Sequence, residues 1–403
     1  MDEGDEAKMR IVHLSDIHLG FRQYQRLAES GLNQREVDVA RTFRRIIEKV
    51  IELRPDIVVV AGDVFHTVRP TNQAILHAYK QFQLLVQRLP ESEFVIVAGN
   101  HDSPRTRETG CILNLFTPLG FRVAAGAPER FQLFNGDVSV LAVPDDSTSA
   151  RPALTPDPSA KYNILLIHGE VEGIIPKYSI TADRIPMTIS KEELGAGRWD
   201  YVALGHYHVY RSVAPNAFYS GSLDYTSSNP WGEMLEEEET GIEGKGFIEH
   251  DLATGTHRFH HVAPERSWVD LPAISGAGLS AADLDARIKE ALEGCEGGIA
   301  DKVVRLVVRD VPRHIIREVD HKALREFRRT ALHFHLDTRR PEIVRREGQG
   351  APGRRQSLSE TLRDSLRSRT LTSDLNRESL VELGLRYLQA AEAVAPASEV
   401  DAL

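Results

Sequence analysis

Residues 11–20, IVHLSDIHLG, pass from a β-type apolar run into an Asp-x-His pair closed by glycine. Four later stretches repeat the transition. AGDVFH (61–66) follows Ile57–Ala61, AGNHD (98–102) follows Phe94–Ala98, IHGE (167–170) follows Ile164–Ile167, and ALGHYH (203–208) follows Tyr201–Leu204. Strands of an open α/β sheet present their carboxyl ends along one edge, so the pattern predicts five polar segments meeting at one crevice. Side chains two apart on a strand share a face, which lets Asp16 and His18 grip one ion, and His206 and His208 repeat that spacing. Asp63 follows Gly62, where the chain can turn tightly, and its two carboxylate oxygens can bridge two ions. Asn100 and His168 contribute a carbonyl oxygen and an imidazole nitrogen. The expected ligand sets are Asp16, His18, Asp63 and His208 for one divalent ion, and Asp63, Asn100, His168 and His206 for the other. Such a pair suits in-line displacement at phosphorus. A mixed oxygen and nitrogen set without thiolate fits manganese, iron or zinc.

SDIHLG, GDVFH, GNHD, HGE and GHYH, in this order, resemble the calcineurin-like metallophosphoesterase superfamily. Within it, IVHLSDIHLG, AGDVFHTVRP (61–70), YSGSLDYTS (219–227) and GKGF (244–247) are similar to the Mre-eleven/SbcD DNA-repair nucleases. The detailed resemblance runs from about Arg10 to about Val262, and beyond that only the layout matches. It implies a manganese-dependent DNA nuclease of double-strand-break repair, with 3′-to-5′ exonuclease action on duplex ends and endonuclease action on single strands and hairpins. It further implies a homodimer and an ATP-hydrolysing Rad-fifty/SbcC coiled-coil partner bound through C-terminal helices. By the same resemblance, His101 stabilises the transition state and protonates the leaving oxygen, and His66 positions the DNA backbone. Imidazole suits general-acid work near neutral pH. Asp102 could orient either His101 or a group behind the ligands. Two other readings exist: a phosphoesterase for nucleotides or phosphoproteins, and a catalytically inactive scaffold. The terminal helices and cap-sized segment argue against the first, and the full ligand set against the second.

Composition fits an enzyme of the cytoplasm. The chain has 403 residues and only two cysteines, Cys111 and Cys295, too few for a disulfide framework. MDEGDEAKMR lacks the basic-then-apolar layout of a signal peptide, and no apolar run approaches a membrane span. A net charge of −10 counts against a free-standing high-affinity DNA binder, because Lys and Arg supply most of the non-specific affinity for phosphate. It weighs less against a nuclease whose metals carry positive charge. Arginines gather late, at 339, 340, 345, 346, 354, 355, 363, 367 and 369.

The expected fold class is α/β: a metallophosphoesterase β-sandwich flanked by helices, with a small α/β cap domain and C-terminal helices. The expected divisions are a nuclease domain at 9–263, a capping and DNA-binding domain at 264–340, a flexible linker at 341–357 containing EGQGAPG, and C-terminal helices at 358–395. Val39, Phe43, Ile46, Ile47, Val50 and Ile51 recur at helical spacing before Pro55. Further helices are expected at Asn72–Leu89, Thr109–Leu119, Leu279–Leu292 and Lys322–Thr330, with strands at Val303–Val308 and Ala331–Leu336. After about Pro144, glycines 221, 241, 244 and 246 suggest antiparallel hairpins. The acidic run Glu236–Glu239 reads as a solvated loop. His13 reads as a core residue, and His260, His261, His333 and His335 read as structural histidines with no acidic partner in sequence. Ile75, Tyr79, Phe82, Ile112, Leu115 and Phe116 offer an apolar dimer surface. No GxxxxGK[ST] loop is present, so ATP hydrolysis is not expected of this chain.

Overall fold

The computed structural model describes residues 9–104, 110–145, 153–175, 187–242, 244–341, 358–368 and 376–394. Two compact units, Met1–Pro341 and Glu342–Leu403, make up the chain. The first begins with β1 (Arg10–Leu14), α1 (Gln34–Leu53), β2 (Ile57–Ala61), α2 (Asn72–Arg88), β3 (Glu93–Val97), a 3-10 helix (Ile112–Leu119) and β4 (Arg122–Ala124). β5 (Glu129–Leu133), β6 (Val138–Val143), β7 (Tyr162–His168), β8 (Glu170–Val171), β9 (Thr188–Ile189), α3 (Lys191–Leu194) and β10 (Tyr201–Gly205) follow. β11 (Arg211–Ala214), β12 (Ala217–Tyr219), α4 (Pro230–Thr240), β13 (Gly246–Asp251) and β14 (His257–His261) complete the sandwich. Its sheets run β14-β13-β1-β2-β3-β4 and β11-β12-β10-β7-β6-β5.

Burial on both faces explains the continuous apolar runs. On β2, Ile57, Val59 and Ala61 pack into the core shared by the two sheets, whereas Val58 and Val60 join the core beneath the helices. α1 starts at Asn33, whose side chain accepts from the Arg35 backbone N–H, and it buries Val39, Phe43, Ile46, Ile47 and Val50. The helix ends at Arg54, in left-handed conformation (φ 48°), just before Pro55.

Four local expectations need correction. The region after Pro144 is made of hairpins only in part: β11–β12 and β13–β14 pair antiparallel as expected, but the second sheet is parallel through β6, β7, β10 and β12. The helix near 112–119 is a 3-10 helix with Pro118 inside it, and residues 105–109 lie outside the described set. Phe82 and Phe116 lie wholly in the core, which removes them from any dimer surface. Glu236–Glu239 is not a loop. It belongs to α4, where Glu236 is buried against Tyr207 and Arg211, and Glu237 against Lys245 and Tyr225.

Residues 264–341 add a parallel sheet, β15 (Trp268–Ser275), β16 (Val303–Arg309) and β17 (His333–Thr338), with α5 (Ala281–Glu293), α6 (Arg313–Glu318) and α7 (His321–Thr330). They have a core of their own around Leu284, Ile288, Leu306 and Phe334. A smaller cluster of Trp231, Val303 and Leu332, flanked by Tyr24 and Trp268, joins them to the sandwich. His333 stacks on Tyr24 at 3.8 Å, and His260 meets Glu249 at 2.8 Å, an acidic partner brought by strand pairing. In the second unit, α8 (Leu358–Ser368) and α9 (Arg377–Val394) pack together closely: a Cβ on Gly384 would stand 2.7 Å from Leu366 Cδ1. Residues 342–357, where the linker is expected, lie outside the described set.

The core between the sheets holds two histidines. His13 Nδ1 meets the Tyr201 hydroxyl at 3.0 Å, and Tyr201 stacks on His250 at 4.4 Å. Both histidines are fully buried, and among the described residues neither ring nitrogen of His250 has a hydrogen-bond partner. Burial lowers the pKa of His13 to about 3 and that of His250 to about 4, against an ordinary 6.5. The unfolded chain therefore binds more protons below pH 6.5. Stability is complete above that value and falls as pH drops towards the folded pKa values, by up to about 1.4 kcal/mol per pH unit for each histidine. We expect the urea midpoint to fall between about pH 7 and about pH 5, and His250→Phe to flatten the decline. An unchanged slope in that variant would refute the assignment.

Candidate metal centre

The five polar segments converge, but from two sheets: β1, β2 and β3 on one side, β7 and β10 on the other. Strand alternation is not what aims Asp16 and His18. Both lie beyond the end of β1 in left-handed conformation (φ 51° and 52°), and Asp63 adopts the same conformation after β2 (φ 52°). Asp and His tolerate this region better than most residues. The two turns are stitched together, since Asp16 N–H donates to the Gly62 carbonyl at 3.1 Å and His18 N–H to the Asp63 carbonyl at 2.9 Å.

The donor atoms form two adjoining groups. His18 Nε2 lies 3.1 Å from His208 Nε2 and 3.8 Å from Asp63 Oδ2, and Asp16 Oδ1 lies 3.9 Å from His208 Nε2. His168 Nε2 lies 3.5 Å from the same Asp63 oxygen and 3.0 Å from Asn100 Oδ1, which is 3.3 Å from His206 Nδ1. All seven expected ligands are thus brought together, with Asp63 Oδ2 common to both groups. Bare imidazole nitrogens facing each other amid buried carboxylates are a costly arrangement alone and a fitting one for divalent cations. Glycine makes the approach possible. A Cβ on Gly99 would stand 2.1 Å from Asp63 Oδ1, and one on Gly205 would stand 1.8 Å from the Ala61 carbonyl oxygen.

Buried charge is balanced inside the cluster. Burial raises the pKa of Asp16, whereas at Asp63 the same burial is outweighed by His168 and His101. Burial opposes charge on His168, but Asp63 and Asp16 raise its pKa to about 9. An entering cation therefore displaces a proton from this ring. His168 Nδ1 donates to the Ala61 carbonyl at 2.8 Å, leaving Nε2 for the cluster.

His101 and His66 line the cleft over these groups, a space of about 290 Å³ also bordered by Phe21, Arg22, Tyr207 and Asn229. His101 N–H donates to Asp63 Oδ1 at 2.8 Å, and its Nδ1 donates to the His66 carbonyl at 2.7 Å. The His66 ring stacks on that of His101 at 5.3 Å. Asp102 orients neither histidine directly. Its carboxylate accepts from the backbone N–H groups of Val64 (3.1 Å), Phe65 (3.0 Å) and Gly99 (3.2 Å), fixing the turn that carries Asp63. Burial and Asp63 raise its pKa to about 7.

Sequence reasoning passed over Glu233 and Lys245, which stand behind His208. Their one local trace is Glu233, Glu236 and Glu237 on a single helix face upstream of the lysine in GKGF. Arg35 was equally silent, although its fully buried guanidinium binds Asp224 at 2.7 Å and so pins the SLDYTS loop to α1.

A model of the calcineurin-like phosphoesterase family matches residues 9–210, half of the 403. Among curated proteins, the chain is similar to several named DNA double-strand break repair protein Mre11. It is 28% identical over 254 residues to that of Methanococcus maripaludis, covering 61% of this chain and 63% of that protein. With the Sulfolobus acidocaldarius protein it shares 39% identity over 241 residues, 57% of this chain and 56% of that protein. With the Methanosarcina mazei protein it shares 23% over 375 residues, 80% of this chain and 56% of that one. The chain spans about three fifths of the length of these relatives.

Because Gly99 leaves no room for a methyl group beside Asp63, Gly99→Ala should weaken divalent-ion binding on the order of 100-fold with the fold retained. Calorimetric titration with Mn(II), alongside circular dichroism, reads both. Wild-type affinity in the variant would show that Asp63 is not a ligand held by this contact.

Proposed function

The chain belongs to the calcineurin-like phosphoesterase family, and we propose that it is a metal-dependent DNA nuclease of double-strand-break repair. The observation that carries the reading is Asp63 Oδ2, a single oxygen facing His18 on one side and His168 on the other. Asp16, His18, Asp63 and His208 would hold one ion, and Asp63, Asn100, His168 and His206 the second. The oxygen and nitrogen donors accept manganese. When bound, the ions supply positive charge to the phosphoryl oxygens and lower the pKa of water for attack at phosphorus.

The protein's own groups do the rest. With Nδ1–H engaged by the His66 carbonyl, His101 turns Nε2 to the cleft as its exchangeable nitrogen, suited to giving a proton to the departing sugar oxygen. His66, stacked beside it, holds the substrate backbone. Exposed Arg313, Arg317, Lys322, Arg325, Arg328 and Arg329 on α6 and α7 give the 264–340 cap a basic surface for duplex phosphates. Of the arginines that gather late in the sequence, Arg339 pairs with Asp337 and Arg367 with Glu378, while 345, 346, 354, 355 and 369 lie outside the described residues. Exonuclease action on duplex ends and endonuclease action on single strands and hairpins complete the reading.

A Rad-fifty/SbcC-like ATPase is the proposed partner, bound by α8 and α9, where Leu358, Leu383 and Tyr387 are exposed. A homodimer would form through α2 and the 3-10 helix, where Leu76 and Leu115 are exposed. Among the described residues, no helix is long and apolar enough to cross a membrane.

Two expectations separate ligand from catalyst. Asp63→Ala should lose hydrolysis of labelled duplex and hairpin DNA together with the bound ions, whereas His101→Ala should keep the ions and lose turnover on the order of 100-fold or more. Loss of both ions from His101→Ala would contradict its role, and a preference for a small phosphodiester over DNA in the wild type would favour a nucleotide or phosphoprotein substrate. For the partner, truncation after Arg340 should spare Mn(II)-dependent cleavage of small esters and abolish capture of the ATPase in a pull-down. Undiminished capture would rule out α8 and α9 as the tether.

A further inference from the structure

α4 starts at the rim of the cleft and carries Trp231 and Glu233 in its first turn. Glu233 Oε1 lies 3.4 Å from His208 Nδ1, and among the described residues both buried atoms have no hydrogen bond to another group. A buried donor and acceptor left unjoined are costly, so their facing position is informative. The other Glu233 oxygen binds Lys245 Nζ at 2.5 Å, and the same ammonium reaches the His208 carbonyl oxygen and Glu237 Oε1, each at 2.9 Å. Lys245 thus ties the carboxylate to the backbone of the histidine it faces. On its far side, His208 directs Nε2 towards His18 and Asp16.

The same helical turn is anchored elsewhere. Trp231 packs on Val303 and Leu332, lies 5.4 Å from the Trp268 ring, and has the Arg305 guanidinium 4.9 Å over its face. All four partners belong to residues 264–341. One helical turn therefore touches the metal centre with one side chain and the neighbouring sheet with another.

We propose that Glu233 is a positioning residue that takes the Nδ1–H of His208 and so presents Nε2 to the ion, and that Trp231 makes this orientation depend on how residues 264–341 are seated. The inference rests on reading His208 as a ligand. It adds a control on that ligand: displacement of the 264–341 sheet, as when a large substrate or partner loads it, moves α4 and with it the carboxylate behind His208.

The test uses the full chain. In metal-free wild type, at a pH where the ring is neutral, 15N spectra should show His208 protonated at Nδ1, and an Nε2–H tautomer would overturn the proposal outright. Glu233→Met, which fills the space without an acceptor, should lose that tautomer and weaken one of two Mn(II) binding events on the order of 10–100-fold by calorimetry. Glu233→Gln, whose single oxygen is taken by the Lys245 ammonium so that its NH2 faces His208 Nδ1, should shift the ring to the Nε2–H tautomer and weaken the same binding event. Wild-type affinity with an unchanged His208 spectrum in Glu233→Met refutes the positioning role. If that variant does not fold, the wild-type tautomer and Glu233→Gln still decide. Trp231→Ala should weaken Mn(II) binding in the wild-type background and add nothing in Glu233→Met, since coupled residues are not additive. Equal losses in both backgrounds would refute the link to the 264–341 sheet. A wild type that shows the Glu233-dependent tautomer but binds no Mn(II) would sink the metal reading alone.

Discussion

The carboxylate of Asp63 sits where the carboxyl ends of two sheets meet, with Oδ1 held by the His101 backbone N–H and Oδ2 turned to His18 and His168. A carboxylate stripped of water in this way costs several kcal/mol unless compensated, and the compensation comes from His168 and the backbone around it. Much of the surrounding geometry follows. Gly99 must lack a side chain, the turn after β2 must be left-handed, and Asp102 must be buried beneath it to bind three backbone N–H groups. The candidate ligands are placed by these constraints on the backbone more than by the rotamers of individual side chains.

Charge is handled in two tiers. Near the cleft, Glu233, Glu236 and Glu237 look at first like excess acid on a chain of net charge −10, yet Lys245 pairs with Glu233 and Glu237, Arg211 pairs with Glu236, and two tyrosine hydroxyls donate to Glu236 and Glu237. In the centre, Asp16 and Asp63 face His168, whose pKa they raise to about 9, so their charge is met by a proton that an entering cation would displace.

The five strand-end segments were legible because each packs its apolar run, its glycine and its polar residue into a few neighbouring positions. α1 was legible because one face of a long amphipathic helix repeats the same signal through Val39, Phe43, Ile46 and Val50. Strand direction in the second sheet was not, because Ile164–Ile167 is buried on both faces and a run without alternation carries no orientation. Glu233 and Arg35 stayed hidden, and the role of Asp102 stayed open, for another reason: His208, Asp224 and Val64 are distant in sequence from them, and these roles exist only once the turns close. The acidic run misled because charge predicts exposure unless a buried cation is already known.

β1 holds a central place in its sheet, between β2 and β13, and Arg10 pairs with Asp251. On the ribosome, the partner on one side of β1 thus emerges long after β1 itself. At about 5–20 residues per second, the strand waits roughly 10–50 seconds with one edge open. An apolar edge left unpaired that long invites pairing with another chain. The architecture that gathers the candidate ligands at the meeting of two sheets therefore asks the cell to shield a nascent strand through much of translation.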